Sequence, residues 1–105
     1  MPAPIELPIP VDQVEAEIRR LAQEESQAVF VLPHAKERMA QRDISIRQII
    51  RVLRNGDLIQ APQWDTEVEK GWRCVFAGIS AGIKVTVVAK LVKRQNQVCL
   101  VVTTY

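Results

Sequence analysis

The sequence holds one histidine, His34, and two cysteines, Cys74 and Cys99, in 105 residues. That scarcity removes whole classes of chemistry. Neither cysteine has a Cys-x-x-Cys neighbour, and a structural zinc site needs about four ligands at close spacing, so no metal is expected. A Cys–His catalytic pair has no supporting motif. Both cysteines lie in apolar stretches and read as buried free thiols. No cofactor is expected. Long apolar runs are missing too. The longest, Ile83–Val92, is interrupted by Lys84 and Lys90 and falls short of the roughly 18–20 residues of a membrane span. No basic segment followed by an apolar core opens the chain, so no secretory signal is read. A cytoplasmic location without a membrane partner is the expectation. Acids are absent from the whole of residues 73–105, which carry five bases: Arg73, Lys84, Lys90, Lys93 and Arg94.

What is present is an ordinary globular composition, 48% apolar and 25% charged, in a length that suits one domain with its own core. The net charge of +2 conceals a segregation. Residues 1–30 carry six acids against two bases, and residues 31–54 carry six bases against two acids. An anion-binding face needs summed positive potential of this kind. The alternative is that solvated helix and strand faces drift in charge.

Pro2, Pro4, Pro8 and Pro10 keep residues 1–10 extended. Asp12 and Glu15 then have capping-box spacing, and Val14, Ile18 and Leu21 recur at helical spacing, so a helix is expected over 11–25. Val29–Leu32 is a short strand or an extended lead-in. Pro33 suits a first helical turn, and 33–42 reads as a second helix. Ser45 and Gln48 form another capping box for a third, 46–55, with Ile46, Ile49, Ile50 and Leu53 as its buried stripe. Arg47, Arg51 and Arg54 lie off that stripe, and Gly56 ends the helix as a residue beyond its C-cap. The period then drops to two. Strands are expected at 58–61, 72–77, 83–92 and 98–104, joined by short turns that suit antiparallel neighbours. The fold class is α+β, with helices on one face of a mainly antiparallel sheet of about four strands.

His34, Arg38 and Arg42 are spaced i, i+4, i+8 and advance about 40° per step. Ala35 and Met39 lie on the inner edge of that stripe. An imidazole can move a proton near neutral pH, and a guanidinium can hold a phosphate bidentately. The structural alternative is that His34 orients the turn after Pro33 while the arginines pair with Glu37 or Asp43.

The run His34-Ala35-Lys36-Glu37-Arg38-Met39, the turn Gln41-Arg42-Asp43-Ile44, Asn55-Gly56 and the ending Val101-Val102-Thr103-Thr104-Tyr105 resemble the family known as domain of unknown function 4258. The resemblance covers residues 29–105 and leaves 1–28 as a proline-rich arm with an extra helix, within one globular unit. Three positions depart from the pattern: Gln41 and Asp43 stand where the turn has glutamate and glycine, and Pro33 where a serine or threonine precedes the histidine. The family is similar to the fold of messenger-cleaving bacterial toxins of the RelE type. That resemblance implies a metal-independent endoribonuclease in a toxin–antitoxin-type system. His34 would be general acid or base, Arg38 the phosphate holder, and Thr103 and Tyr105 groove residues on one strand face. Arg42, Arg73, Lys84 and Lys90 would contact RNA phosphates. The implied partners are RNA and an antitoxin-like protein. A non-catalytic nucleic-acid- or protein-binding module of the same fold is the alternative. A homodimer through an exposed edge of 83–92 or 98–104 fits either. The acidic first helix would either cover the fold or lie over the groove as a competitor for RNA.

Overall fold

Apolar positions recur every three to four residues in the first half of the chain and every second residue in the second, and the structure divides at that change. The computed structural model describes residues 9–105. The extended run expected over residues 1–10 lies, up to Pro8, outside them. A 3-10 turn, Val11–Gln13, leads into α1 (Val14–Glu24), and a second, Ser26–Ala28, into β1 (Val29–Val31). Then come α2 (Pro33–Arg42), α3 (Ile46–Asn55), β2 (Asp57–Asp65), β3 (Gly71–Ser80), β4 (Ile83–Lys93) and β5 (Gln97–Thr104). Three helices and a five-stranded mixed sheet, ordered β1-β5-β4-β3-β2, make an α+β fold. No helix among the described residues is long and apolar enough to cross a membrane.

Both α2 and α3 occupy the residues expected of them. At α3 the capping box closes: Gln48 N–H donates to Ser45 Oγ (3.2 Å) and Ser45 N–H to Gln48 Oε1 (2.8 Å). Its buried stripe is rotated from the expected one. Ile49, Val52 and Leu53 are buried, while Ile46 is 44% exposed. Gly56 follows in an extended conformation (φ −73°) rather than a left-handed one. Glycine is needed there for close approach, since a Cβ would lie 2.7 Å from the carbonyl oxygens of both Ala77 and Val52.

The Asp12–Glu15 capping box does not form at α1, whose N-terminus has no side-chain cap. Glu15 instead accepts from Arg19 Nη2 (2.8 Å), and that guanidinium donates onward to three carbonyls at the end of α3: Leu53 (3.1 Å), Arg54 (3.0 Å) and Gly56 (2.8 Å). It also lies 5.1 Å from the centroid of the buried Phe76 ring. One arginine thus satisfies carbonyls that the helix geometry leaves open and ties α1 to α3.

The strands run longer than the residue pattern implies. β2 continues through Pro62 because it is an edge strand, where a missing N–H costs no ladder bond; its pairing with β3 is irregular on both sides of Gln60. β3 and β4 pair out to Ser80–Ile83 across a two-residue turn, Ala81-Gly82, both at positive φ (54° and 77°). β1 is a fifth strand, parallel to β5. The core lies between the sheet and the helices. Val14, Ile18, Leu21, Ala35, Ile49 and Leu53 meet Cys74, Phe76, Val87, Ala89 and Val101 there. Burial pushes the Cys74 thiol up to about 12 and raises the Cys99 thiol as well, so both are inert at neutral pH.

The opposite sheet face carries a smaller cluster, Val92, Val98 and Leu100, with Ala28 and Leu32 against it. The loop between β2 and β3, residues 66–70, is fastened over this side. Lys90 Nζ donates to the Glu67 carbonyl (2.6 Å) and lies 3.3 Å from Asp65 Oδ2. Arg94 makes two bonds to Glu69 (2.9 and 3.0 Å), and its guanidinium lies 5.6 Å from the Phe30 ring centroid. The Glu67 N–H, then Lys90, lowers the Asp65 carboxyl, and Arg94 lowers that of Glu69. A depressed folded pKa contributes stability above the unfolded carboxylate range, near pH 4, and loses it as the pH falls through the folded values. Below about pH 4 the loop is therefore expected to loosen, read as a change in Trp64 fluorescence and faster amide exchange at residues 66–70. An Asp65→Asn, Glu69→Gln variant should flatten that response; an unchanged acid transition in the variant would show that other carboxylates drive it.

Candidate functional site

Leu32 sets the position of α2. It is the N-cap, in extended conformation, and its N–H donates to Val101 O on β5 (3.0 Å). Pro33 then occupies the first turn, where its fixed φ fits and its missing N–H costs nothing. Because β1 runs parallel to β5, the chain leaves β1 heading toward the C-terminal end of β5, and α2 packs against that strand. The helix stops at Asp43, left-handed at φ 56° and ψ 47°, with the N–H groups of Asp43 and Ile44 both on the Met39 carbonyl. Aspartate tolerates this conformation better than most residues, which explains how it stands in a glycine's place.

On α2, Ala35 is fully buried, Arg38 and Met39 are half-buried, and His34 and Arg42 are exposed. The stripe therefore does run along the border of the buried face. The alternative pairing does not occur: among the described residues no ion pair joins Arg38 or Arg42 to Glu37 or Asp43. Instead the Nε of Arg38 is buried with no hydrogen-bond partner. One other buried side-chain atom among the described residues shares that condition, the hydroxyl oxygen of Thr103. Each such atom costs about 1–3 kcal/mol. Both are carried by elements in direct contact, α2 and β5.

A bulge sets which way the end of β5 faces. Val101 opposes Ala89 and Thr103 opposes Val88, so Val102 is the extra residue. Tyr105 then exchanges both backbone bonds with Thr86 (2.6 and 2.9 Å). Thr103 and Tyr105 consequently share the face of Thr86 and Val88, away from the helix-side core, and Thr104 turns inward, its hydroxyl donating to Thr86 O (2.7 Å). Lys84 lies two residues from Thr86 on the same face, so it sits diagonally from Tyr105 at roughly 7–8 Å between backbones. Tyr105 is 44% exposed. His34, Arg38, Thr103, Tyr105 and Lys84 thus come from elements that meet at one end of the sheet.

Arg73 and Lys90 do not join them. They oppose each other toward the other end of the β3–β4 ladder. Lys90 is 3% exposed and spent on Asp65 and Glu67, so it has no free ammonium for an RNA phosphate. Arg73 lies 4.0 Å from the same Asp65. The acid-free stretch 73–105 is therefore partly neutralised by acids from 65–69. The acids of α1 and of its C-cap are likewise occupied: Glu15 by Arg19, and Glu17, Glu24 and the C-cap Glu25 by Arg20. The packing partners of α1 are α3, β5 and β2, which places it under the sheet rather than along α2 as a cover for His34. Of the two strands expected to carry a dimer, β4 has no open side, and β5 pairs with β1 only over Cys99–Val101. The edges of the sheet are β1 and β2. No group of three potential metal-ligating side chains occurs among the described residues.

α2 and the end of β5 thus carry a guanidinium and a hydroxyl whose Nε and Oγ1 are buried with hydrogen-bonding capacity unspent, and, on the same two segments, an exposed imidazole and an exposed phenol. Such donors suit a tetrahedral oxyanion. Neither the curated proteins nor the solved structures compared with the chain contain a match. A family model described as domain of unknown function (DUF4258) matches residues 31–105, which include all of α2, α3 and β2 to β5, and the chain belongs to that family.

Proposed function

We propose that the protein acts on RNA, as a small metal-independent endoribonuclease of the kind found in toxin–antitoxin systems. One observation carries the reading: Arg38 Nε and Thr103 Oγ1 are buried without partners on two elements that touch. A phosphate diester supplies the acceptors they lack. The resemblance to the RelE-type toxin fold suggested by the sequence points the same way.

In this reading Arg38 and Thr103 hold the scissile phosphate. His34 takes the proton of the 2′-hydroxyl as its oxygen bonds to phosphorus. The bond to the 5′-oxygen breaks, and that oxygen takes a proton from Tyr105, leaving a cyclic 2′,3′-phosphate. Lys84 and Arg42 steady neighbouring phosphates. An antitoxin-like protein would cover the same face, and the site of action would be the cytoplasm.

A second reading, a binding module of the same fold, is favoured by one feature. His34 is exposed, and its imidazole enters none of the side-chain hydrogen bonds or ion pairs among the described residues. A catalytic histidine is usually oriented by a third group. Induced expression of the wild type beside His34→Ala, with growth and total RNA followed, separates the two. Removing a general base should cut cleavage about 100-fold or more. Equal growth inhibition and equal RNA loss in both strains would sink the catalytic assignment and leave the binding module.

A further inference from the structure

The outer side of α3 has no role in the site above, and its chemistry is one-sided. Arg47, Arg51 and Arg54 lie within about 60° of one another around the helix and rise about 6 Å and then about 4.5 Å along it. All three are exposed. Among the described residues none of their side chains enters a hydrogen bond or ion pair, whereas Arg19, Arg20, Arg73, Lys90 and Arg94 all face a carboxylate. The helix itself contains no acid. These arginines line a groove of about 710 Å³ whose other wall includes Gln23, Ser26 and Ser80, and no carboxylate residue lines it. A neighbouring groove along α1, by contrast, mixes Glu17 and Glu25 with Arg20 and Lys93.

Unpaired guanidiniums side by side repel one another and hold a local positive potential that only an anion relieves. Three of them in a row, faced by amide and hydroxyl groups, fit a chain of phosphates better than a single one. We infer that the α3 groove is a phosphate track that seats the backbone of single-stranded RNA. The inference rests on the RNA reading above and names a second contact region for the same strand. α2 connects to this track directly, since Arg42 in its last turn precedes α3 by three residues across the Asp43 turn.

The test uses the full chain, a labelled 20-nucleotide single-stranded RNA, and a dinucleotide too short to reach both regions. Arg47, Arg51 and Arg54 are changed together to glutamine, and separately to lysine. Each phosphate contact on a single strand contributes about 0.7 to the slope of log affinity against log salt, so three contacts contribute about 2. The glutamine variant should lose about 2 from that slope and bind the 20-mer at least about tenfold more weakly at low salt. The lysine variant should keep the slope, because the charges remain. Turnover of the dinucleotide should be unchanged in both, while KM for the 20-mer rises in the glutamine variant alone. An unchanged slope and affinity in the glutamine variant would overturn the track. So would a loss of slope in the lysine variant, which would mean that shape rather than charge is read. Failure of the catalytic reading looks different: the wild type cleaves neither substrate, yet the slope still falls in the glutamine variant.

Discussion

Arg38→Met is expected to abolish action on RNA while making the protein more stable. The two effects have one cause. Arg38 is half-buried with its Nε out of reach of any acceptor, and a buried donor without a partner costs about 1–3 kcal/mol. Methionine keeps most of the length and apolar stem of the side chain and removes the orphaned group. About 1 kcal/mol should return, which for a domain of this size raises the Tm by about 4–8 °C. The same change removes the guanidinium that would hold the scissile phosphate. Loss of such transition-state charge stabilisation lowers turnover by about 1000-fold. Thr103→Val is the companion test, since it keeps the shape and deletes the other orphaned atom. Thermal melts read one arm and cleavage of a labelled RNA the other. A variant that melts well below the wild type would mean that Arg38 is a structural residue, and the phosphate role would go with it.

Deleting residues 1–25 should leave a chain that does not melt cooperatively, although every family-matched residue lies beyond the cut. Val14, Ile18 and Leu21 are at most 1% exposed and pack into the same cluster as Ile49, Phe76 and Val101. Removing large buried aliphatics costs about 2–5 kcal/mol each, and three of them rival the 5–15 kcal/mol that holds a typical domain together. The deletion also takes Arg19 from the carbonyls of Leu53, Arg54 and Gly56 and from the face of Phe76. Circular dichroism and calorimetry on residues 26–105 would decide. A sharp transition within about 10 °C of the full chain would show that α1 is dispensable.

The two helices that matter most for the site were legible to the residue because their signals are local. Pro33 opens α2, the Ser45–Gln48 box opens α3, and both stripes repeat at helical spacing. What could not be read depends on residues far apart in the chain. The parallel pairing of β1 with β5 joins positions 70 residues apart, such as Val29 with Cys99. Three of the acceptors of Arg19 are backbone carbonyls 34 to 37 residues away, and a carbonyl leaves no mark in a sequence. Lys90 looked free because its partner, Asp65, lies 25 positions earlier, across a loop whose fold brings them together. Pro62 suggested a break, and only the position of β2 at the sheet edge removes that cost. For the site, helical spacing already put His34, Arg38 and Arg42 on one border. That Arg38 Nε is buried without a partner follows only from how α2 packs on β5.

The extra residue in β5 has a consequence for how this protein can change. Up to Val101 every second side chain faces the helices; after Val102 the alternation is offset by one. Were Val102 held in the ladder rather than bulged out of it, Thr103 would turn inward and Val102 and Thr104 would face outward. The bulge thus absorbs the one residue by which this strand exceeds its partner. Loss of Val102 would restore a regular ladder and leave Thr103 opposite Val88 and Thr104 opposite Val87, each facing as it does now. The last strand therefore carries one residue of slack, which a lineage could shed while keeping the same hydroxyl on the outer face.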